Sequence, residues 1–193
     1  MDEVTNPLKE ILFFDTEITE EVANVGGWEE AKAGKAGLSA AVVLALPSQA
    51  VRLYDLHTVG SLWAQINEAD AVVSFNGKGF DIPLLSSLGG RVVSPGAHLD
   101  LLDLILSKAP SRRGWSLDAT CKRTLGRGKL DGLTGAQAPM LARQRRFGEL
   151  FDYCLADVYL TRDLFIHIRD LGYVIDPLGE PLPLTIPEAF LWK

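Results

Sequence analysis

The chain has 193 residues, 47% of them hydrophobic, enough for one well-buried domain and too few for two full ones. Its net charge is −6, its amino terminus Met1-Asp2-Glu3-Val4 is acidic with no apolar h-region, and no apolar run approaches a membrane span. A soluble cytoplasmic protein without a membrane partner is expected, and its two cysteines, Cys121 and Cys154, are too few and too widely spaced for a disulfide framework or a CxxC zinc site.

Taken in order, Ile11–Glu17 (Ile-Leu-Phe-Phe-Asp-Thr-Glu) reads as a buried strand with two carboxylates at its end. Side chains i and i+2 of a strand share a face, so Asp15 and Glu17 converge and repel unless a cation lies between them. Thr19–Gly37, with four glycines and Trp28, reads as a long irregular excursion. Its Gly34-Lys35 pair lacks the spacing of a phosphate-cradling loop. Leu38–Leu46 and Ala50–Asp55 predict strands that form an antiparallel meander with the first. A helix over Val59–Ala69 follows, and then a short apolar strand, Ala71–Phe75, which requires cover on both faces.

The second half reads as mostly helical. Helices are predicted over Ile82–Leu88, Leu99–Lys108, Ser116 to about Leu125, Ala136–Arg146 and Phe147–Leu171, with Gly172 as the stop. Gly126–Gly135 reads as a loop. The segment from Val174 carries Pro177, Pro181, Pro183 and Pro187 and is expected to be an extended tail. Strands alternating with helices predict an α/β layer structure with a mixed sheet.

Four carboxylates, Asp15, Glu17, Asp81 and Asp157, fall at predicted strand ends or on a helix face. Hard divalent cations take oxygen ligands, and a pair of them can act on a phosphodiester from both sides. His57, His98 and His167 share no spacing and read as structural or solvent-facing. Tyr153, Asp157 and Leu160 lie at i, i+4 and i+7 on one helical face. The order Asp15-x-Glu17, Asn76-x-x-x-Phe80-Asp81, Tyr153-x-x-x-Asp157 resembles the three exonuclease motifs of the DEDD (DnaQ-like) superfamily, and the tyrosine resembles its DEDDy branch. In pattern it is similar to the proofreading domains of family B DNA polymerases. The stretch Ser116-Leu117-Asp118-Ala119 with Leu125-Gly126 resembles the helix between the second and third motifs.

That resemblance implies a ribonuclease H-like domain over residues 1–173, followed by the Pro-rich tail 174–193. It also implies two Mg²⁺ or Mn²⁺ ions held by Asp15, Glu17, Asp81 and Asp157, with Tyr153 orienting the attacking water. Single-stranded or 3′-end nucleic acid is the implied substrate, and a polymerase or other protein is a possible partner. Thr16, Asn76, Phe80, Arg112 and Arg113 form the expected substrate-binding set, Thr16 although its side chain should point to the opposite face. Phe80 reads as core packing or a base-stacking ring. Asp100, Asp103 and Asp152 read as solvated or helix-terminal acids. Between Lys108 and Arg146 ten basic residues face two acids, a local charge of +8 against −14 elsewhere, which suits a phosphate-tracking surface, with Arg143, Arg145 and Arg146 as further candidates. The competing reading is a non-catalytic nucleic-acid-binding module that keeps the fold. An endonuclease of the ribonuclease H type is disfavoured by the Asp-x-Glu pair on one strand.

Overall fold

The computed structural model describes residues 10–129 and 137–191. Five strands form one mixed sheet: β1 (Ile11–Ile18), β2 (Leu38–Leu46), β3 (Val51–Tyr54), β4 (Ala71–Ser74) and β5 (His98–Asp100), in the order β3-β2-β1-β4-β5. The first three strands are antiparallel, and β4 and β5 run parallel to β1. The helices are α1 (Trp28–Glu30), α2 (Val59–Glu68), α3 (Asp81–Ser87), α4 (Leu101–Leu106), α5 (Leu117–Leu125), α6 (Ala138–Arg143) and α7 (Phe147–Leu171).

Strand alternation divides the core into two layers. Ile11 and Phe13 pack with Val42, Leu44 and Val73 against α4, α5 and α7, while Leu12 and Phe14 pack with Val43 and Val72 against Leu62, Trp63 and Ile66 of α2. Phe13 meets Phe165 of α7 edge to face at 5.4 Å. Burial on both sides explains why β2 reads as an almost unbroken apolar run.

Two features differ from the expected elements. Where one helix was expected over 99–108, His98–Asp100 forms the edge strand β5, and Asp100 then caps α4 by accepting a hydrogen bond from Leu102 N at 3.0 Å. The excursion 19–37 is also not wholly irregular, since it holds α1 and a wide turn over Ala31–Lys35. Part of the expected loop 126–135 lies outside the described residues; Gly126, in the left-handed region at φ 69°, ends α5.

The segment beyond Gly172 is extended, and it is also part of the core. β6 (Tyr173–Ile175) and β7 (Pro181–Pro183) form a hairpin, and Val174, Leu184, Ile186 and Phe190 are buried in the layer beneath α7. Arg123 Nε donates to Ile175 O at 3.2 Å and Thr124 Oγ1 accepts from Ile175 N at 3.0 Å, fastening the hairpin to α5. Among the described residues no helix is long and apolar enough to cross a membrane.

Candidate active site

The register of β1 makes the opening. It pairs with β4 only through Ile11–Phe13, whereas its pairing with β2 continues to Ile18. Residues Asp15 to Ile18 therefore run on beyond the β1–β4 ladder, at the carboxyl ends of parallel strands, where open α/β sheets leave a crevice. Here the crevice is a cleft of about 520 Å³, lined by Asp15, Thr16, Glu17, Asn76, Phe80, Asp81, Tyr153 and Asp157, eight of the ten residues expected from sequence, among others.

Each side chain arrives by a different local rule. Asp15 and Glu17 point to the α7 face through the strand period. Tyr153 and Asp157 are one helical turn apart on the buried side of α7. Asp81 is the first residue of α3, where a carboxylate favours the helix N-terminus. Thr16, facing the other way as expected, donates to Asp81 Oδ1 from its backbone N at 3.1 Å and from its hydroxyl at 2.5 Å. Its role in the cleft is thus to hold a carboxylate.

The Asn76–Asp81 segment is held from a distance. Asp100, almost fully buried, accepts from Asn76 N at 2.8 Å and Lys78 N at 2.9 Å in addition to the α4 cap, so it is helix-terminal but not solvated. Asn76 adopts φ 66°, a left-handed conformation that Asn tolerates better than most residues. A Cβ on Gly77 would lie 2.4 Å from Ser74 Oγ, so any larger residue here forces Ser74 to shift. Phe80 packs with Ile18, Ala31, Ala36 and Leu84, the core role foreseen for it, and it also lines the cleft.

The cluster is electrostatically strained when no cation is bound. Burial first, and then Asp81, Asp157 and Glu17, push the Asp15 carboxyl well above its ordinary pKa, and burial with repulsion from Asp157 does the same to Glu17. Burial raises Asp81 to about 7, and raises Asp157 as well although Lys129 pulls it down. Among the described residues Asp157 Oδ1 is buried without a hydrogen-bond partner. Converging oxygen donors, mutual repulsion and an unsatisfied carboxylate oxygen fit a hard divalent cation. Cys154 Sγ also lies within 4.8 Å of ligand atoms of Asp15 and Glu17, but burial and the surrounding acids keep its thiol protonated. It donates to the Asp15 carbonyl at 3.3 Å, beneath the site.

Lys129 was not singled out from the sequence. Its ammonium donates to Tyr153 Oη at 2.9 Å and pairs with Asp157. Burial would lower its pKa, yet the carboxylates of Asp157 and Asp15 outweigh burial and raise it, so it stays charged. Burial and Asp157 also raise the Tyr153 phenol, which is therefore neutral near pH 7. Asp118 fixes the approach of Lys129 by accepting from its backbone N at 2.8 Å, and a Cβ on Gly128 would fall 2.3 Å from Asp118 Oδ1. No short motif marks Lys129, because its place depends on a turn held by α5.

The expected arginines are distributed differently. Arg112 Nη2 donates to Asn76 Oδ1 at 2.8 Å, at the cleft rim. Arg113 lines a separate depression with Trp115, Pro177 and Leu178. Arg143 pairs with Glu20 and Glu21, and Arg146 with Glu149. Asp152 is exposed, as is Asp103. His57 is exposed; His98 shares a 2.7 Å hydrogen bond with Ser74, and burial lowers its pKa to about 4.

A family model described as RNase_H_2, of the RNase_H superfamily, matches residues 12–168. No curated protein matches the chain. Among solved structures, the family B DNA polymerase from the hyperthermophilic archaeon Pyrobaculum calidifontis superposes with a TM-score of 0.61 at 19% identity, over 86% of this chain. The match spans 25% of that polymerase, and at this identity it establishes a shared fold.

Proposed function

Because residues 12–168 match its model, the chain belongs to the RNase_H_2 family of the RNase_H superfamily, and on that premise we propose that it is a metal-dependent 3′-5′ exonuclease of the DEDDy type, releasing nucleoside 5′-monophosphates from DNA or RNA. The observation that carries this reading is the convergence of Asp15, Glu17, Asp81 and Asp157 with Tyr153 in one open cleft. A module that only binds nucleic acid has no use for buried carboxylates that repel phosphate and strain the fold.

The four carboxylates would hold two Mg²⁺ or Mn²⁺ ions. When bound, such a pair supplies a lowered pKa for water and neutralises charge building on the phosphate. The chain's own groups do the rest. Thr16 fixes the Asp81 carboxylate so that it need not reorganise when a cation arrives. The neutral Tyr153 phenol orients water through its hydroxyl; with a raised pKa it is the wrong group to remove a proton. Lys129 holds that hydroxyl and the Asp157 carboxylate in place. Asn76 and Arg112 offer a polar rim for the terminal nucleotide, and the +8 stretch between Lys108 and Arg146 supplies the salt-sensitive attraction for the strand.

The test uses 5′-labelled single-stranded DNA and RNA of one sequence with Mg²⁺, Mn²⁺ or EDTA. A metal-dependent ladder shortening from the 3′ end, lost in Asp15→Ala, is the expected result. Binding without any shortening, in every metal, would favour the adaptor reading, and internal cuts would favour an endonuclease.

A further inference from the structure

The sheet is left unfinished at β3. β3 is the outermost strand beside β2, and its Leu53 and Val51 stand opposite Val42 and Leu44, so they continue the α7 face of the sheet outward. Val42 and Leu44 are buried in that layer, whereas Val51 and Leu53 are 38% and 52% exposed. Two branched apolar side chains on an open edge forgo their burial and invite another strand.

The backbone of this edge is open too. Ala45 N donates to Ala50 O at 2.9 Å, and an antiparallel ladder alternates, so Arg52 and Tyr54 turn their N–H and C=O groups to β2 while Val51 and Leu53 turn theirs outward. Among the described residues no side chain or neighbouring strand caps those four outward groups. Asp55, next in the alternation, is already used: its N–H donates to Thr58 Oγ1 at 2.8 Å and its carbonyl accepts from Thr58 N at 3.1 Å. On the other side the open ladder stops at Gln49, whose φ of 58° belongs to a turn.

Charge chooses the occupant. Arg52 stands opposite Val43 on the α2 face, in a groove of about 450 Å³ that it shares with Tyr54, Gln65, Glu10 and Glu68. It is exposed, and among the described residues its guanidinium has no ion-pair partner. A second copy of this chain would pair about a two-fold axis, and therefore antiparallel. Setting Val51 against Leu53 of the other copy would use all four open groups, but it would place the two Arg52 side chains directly opposite each other, where like charges destabilise. Registers centred on Leu53 or on Val51 would need Asp55 or Gln49 in the ladder, and neither is free for it. A strand from another polypeptide escapes both obstacles if it brings a carboxylate opposite Arg52 and an apolar residue on either side, against Val51 and Leu53.

We propose that the β3 edge is a docking site for an extended segment of another protein, an acidic residue between two apolar ones, which adds to the sheet as an antiparallel strand. Arg52 both selects that segment and keeps copies of this chain from pairing with each other. β3 lines no part of the carboxylate cleft, so this surface serves the chain whether or not it is a nuclease.

The probe is a fluorescein-labelled peptide, Thr-Val-Glu-Val-Thr, with two companions: one carries Lys in place of Glu, the other N-methyl groups on both valines. Anisotropy is titrated with wild type, Arg52→Glu and Leu53→Pro, the last removing an outward N–H without touching the ladder to β2. Wild type should prefer the Glu peptide to the Lys peptide by about tenfold, and Arg52→Glu should reverse that order. Methylation of the valines, whose amides face the edge in an antiparallel pair, should weaken binding to wild type by about tenfold or more, and Leu53→Pro should do the same to the plain peptide. If wild type binds no peptide at millimolar concentration, or binds Glu and Lys peptides equally, or plain and methylated peptides equally, the docking site is refuted. Those comparisons change only the peptide, so a variant that fails to fold does not disturb them. Sedimentation of wild type as a dimer without peptide, converted to a monomer by Leu53→Pro, would give the edge to a second copy and refute it equally.

Discussion

Burial lifts the Asp81 carboxyl from 3.8 to about 7, even though two hydrogen bonds from Thr16 favour its ionised form. A folded-state pKa above the unfolded value means that the protonated form supports the fold. The contribution is whole below about pH 4 and is lost as pH rises through about 7. In EDTA, wild type should therefore lose stability relative to Asp81→Asn between pH 4 and 8, the substitution raising the thermal midpoint at pH 8 by about 2–4 °C for each kcal/mol of relief. Thermal melts of both proteins across that range check it, and a difference that stays constant with pH would contradict the assignment. Mn²⁺ should recover the lost stability in wild type at pH 8. At Tyr153 the expectation is kinetic: with the hydroxyl in its proposed water-orienting role, Tyr153→Phe should lower kcat by about 10²-fold while leaving KM nearly unchanged, and Lys129 keeps its pairing with Asp157.

The loop between β4 and α3 depends on a residue 22 to 24 positions further on, Asp100. Asp100→Ala should leave the N–H groups of Asn76, Lys78 and Leu102 without their acceptor. Its expected cost is about 1–3 kcal/mol in urea unfolding, together with weaker substrate binding through Asn76. Gly77→Ala should cost a similar amount, because Ser74 stands where the new methyl would go. This dependence also explains what could be read in advance. Asp15 with Glu17, and Tyr153 with Asp157, are each placed by the period of one element, so spacing puts each pair on one face, and the order of the three motifs together with the family they resemble singled them out as a set. β5 is three residues long and carries no period, so its Leu99 and Asp100 merged with the helix that follows. Lys129 and Asp100 act through neighbours remote in sequence. The charge of the central stretch was legible, but not that Arg143 and Arg146 would be occupied by Glu20, Glu21 and Glu149.

At the scale of the molecule, the segment after Gly172 closes the core. Phe190, Ile186 and Leu184 fill the layer under α7, so Phe190→Ala should cost about 3–5 kcal/mol, read from urea unfolding, and ending the chain at Gly172 should abolish a cooperative transition. An unchanged midpoint after that truncation would mean that the hairpin only rests on the surface. The central position of β1 has a consequence for how the protein reaches its working state. Its neighbours are β2 and β4, and its two acids wait for partners at residues 81 and 157, so no fragment that ends before residue 157 holds all four carboxylates. Chains dominated by such distant pairings search slowly, because each loop must close before it is rewarded. On dilution from urea, the proposed nuclease activity should stay silent while helices form and appear only with the final closure of the sheet, so that catalysis itself becomes the clock for the last step of folding.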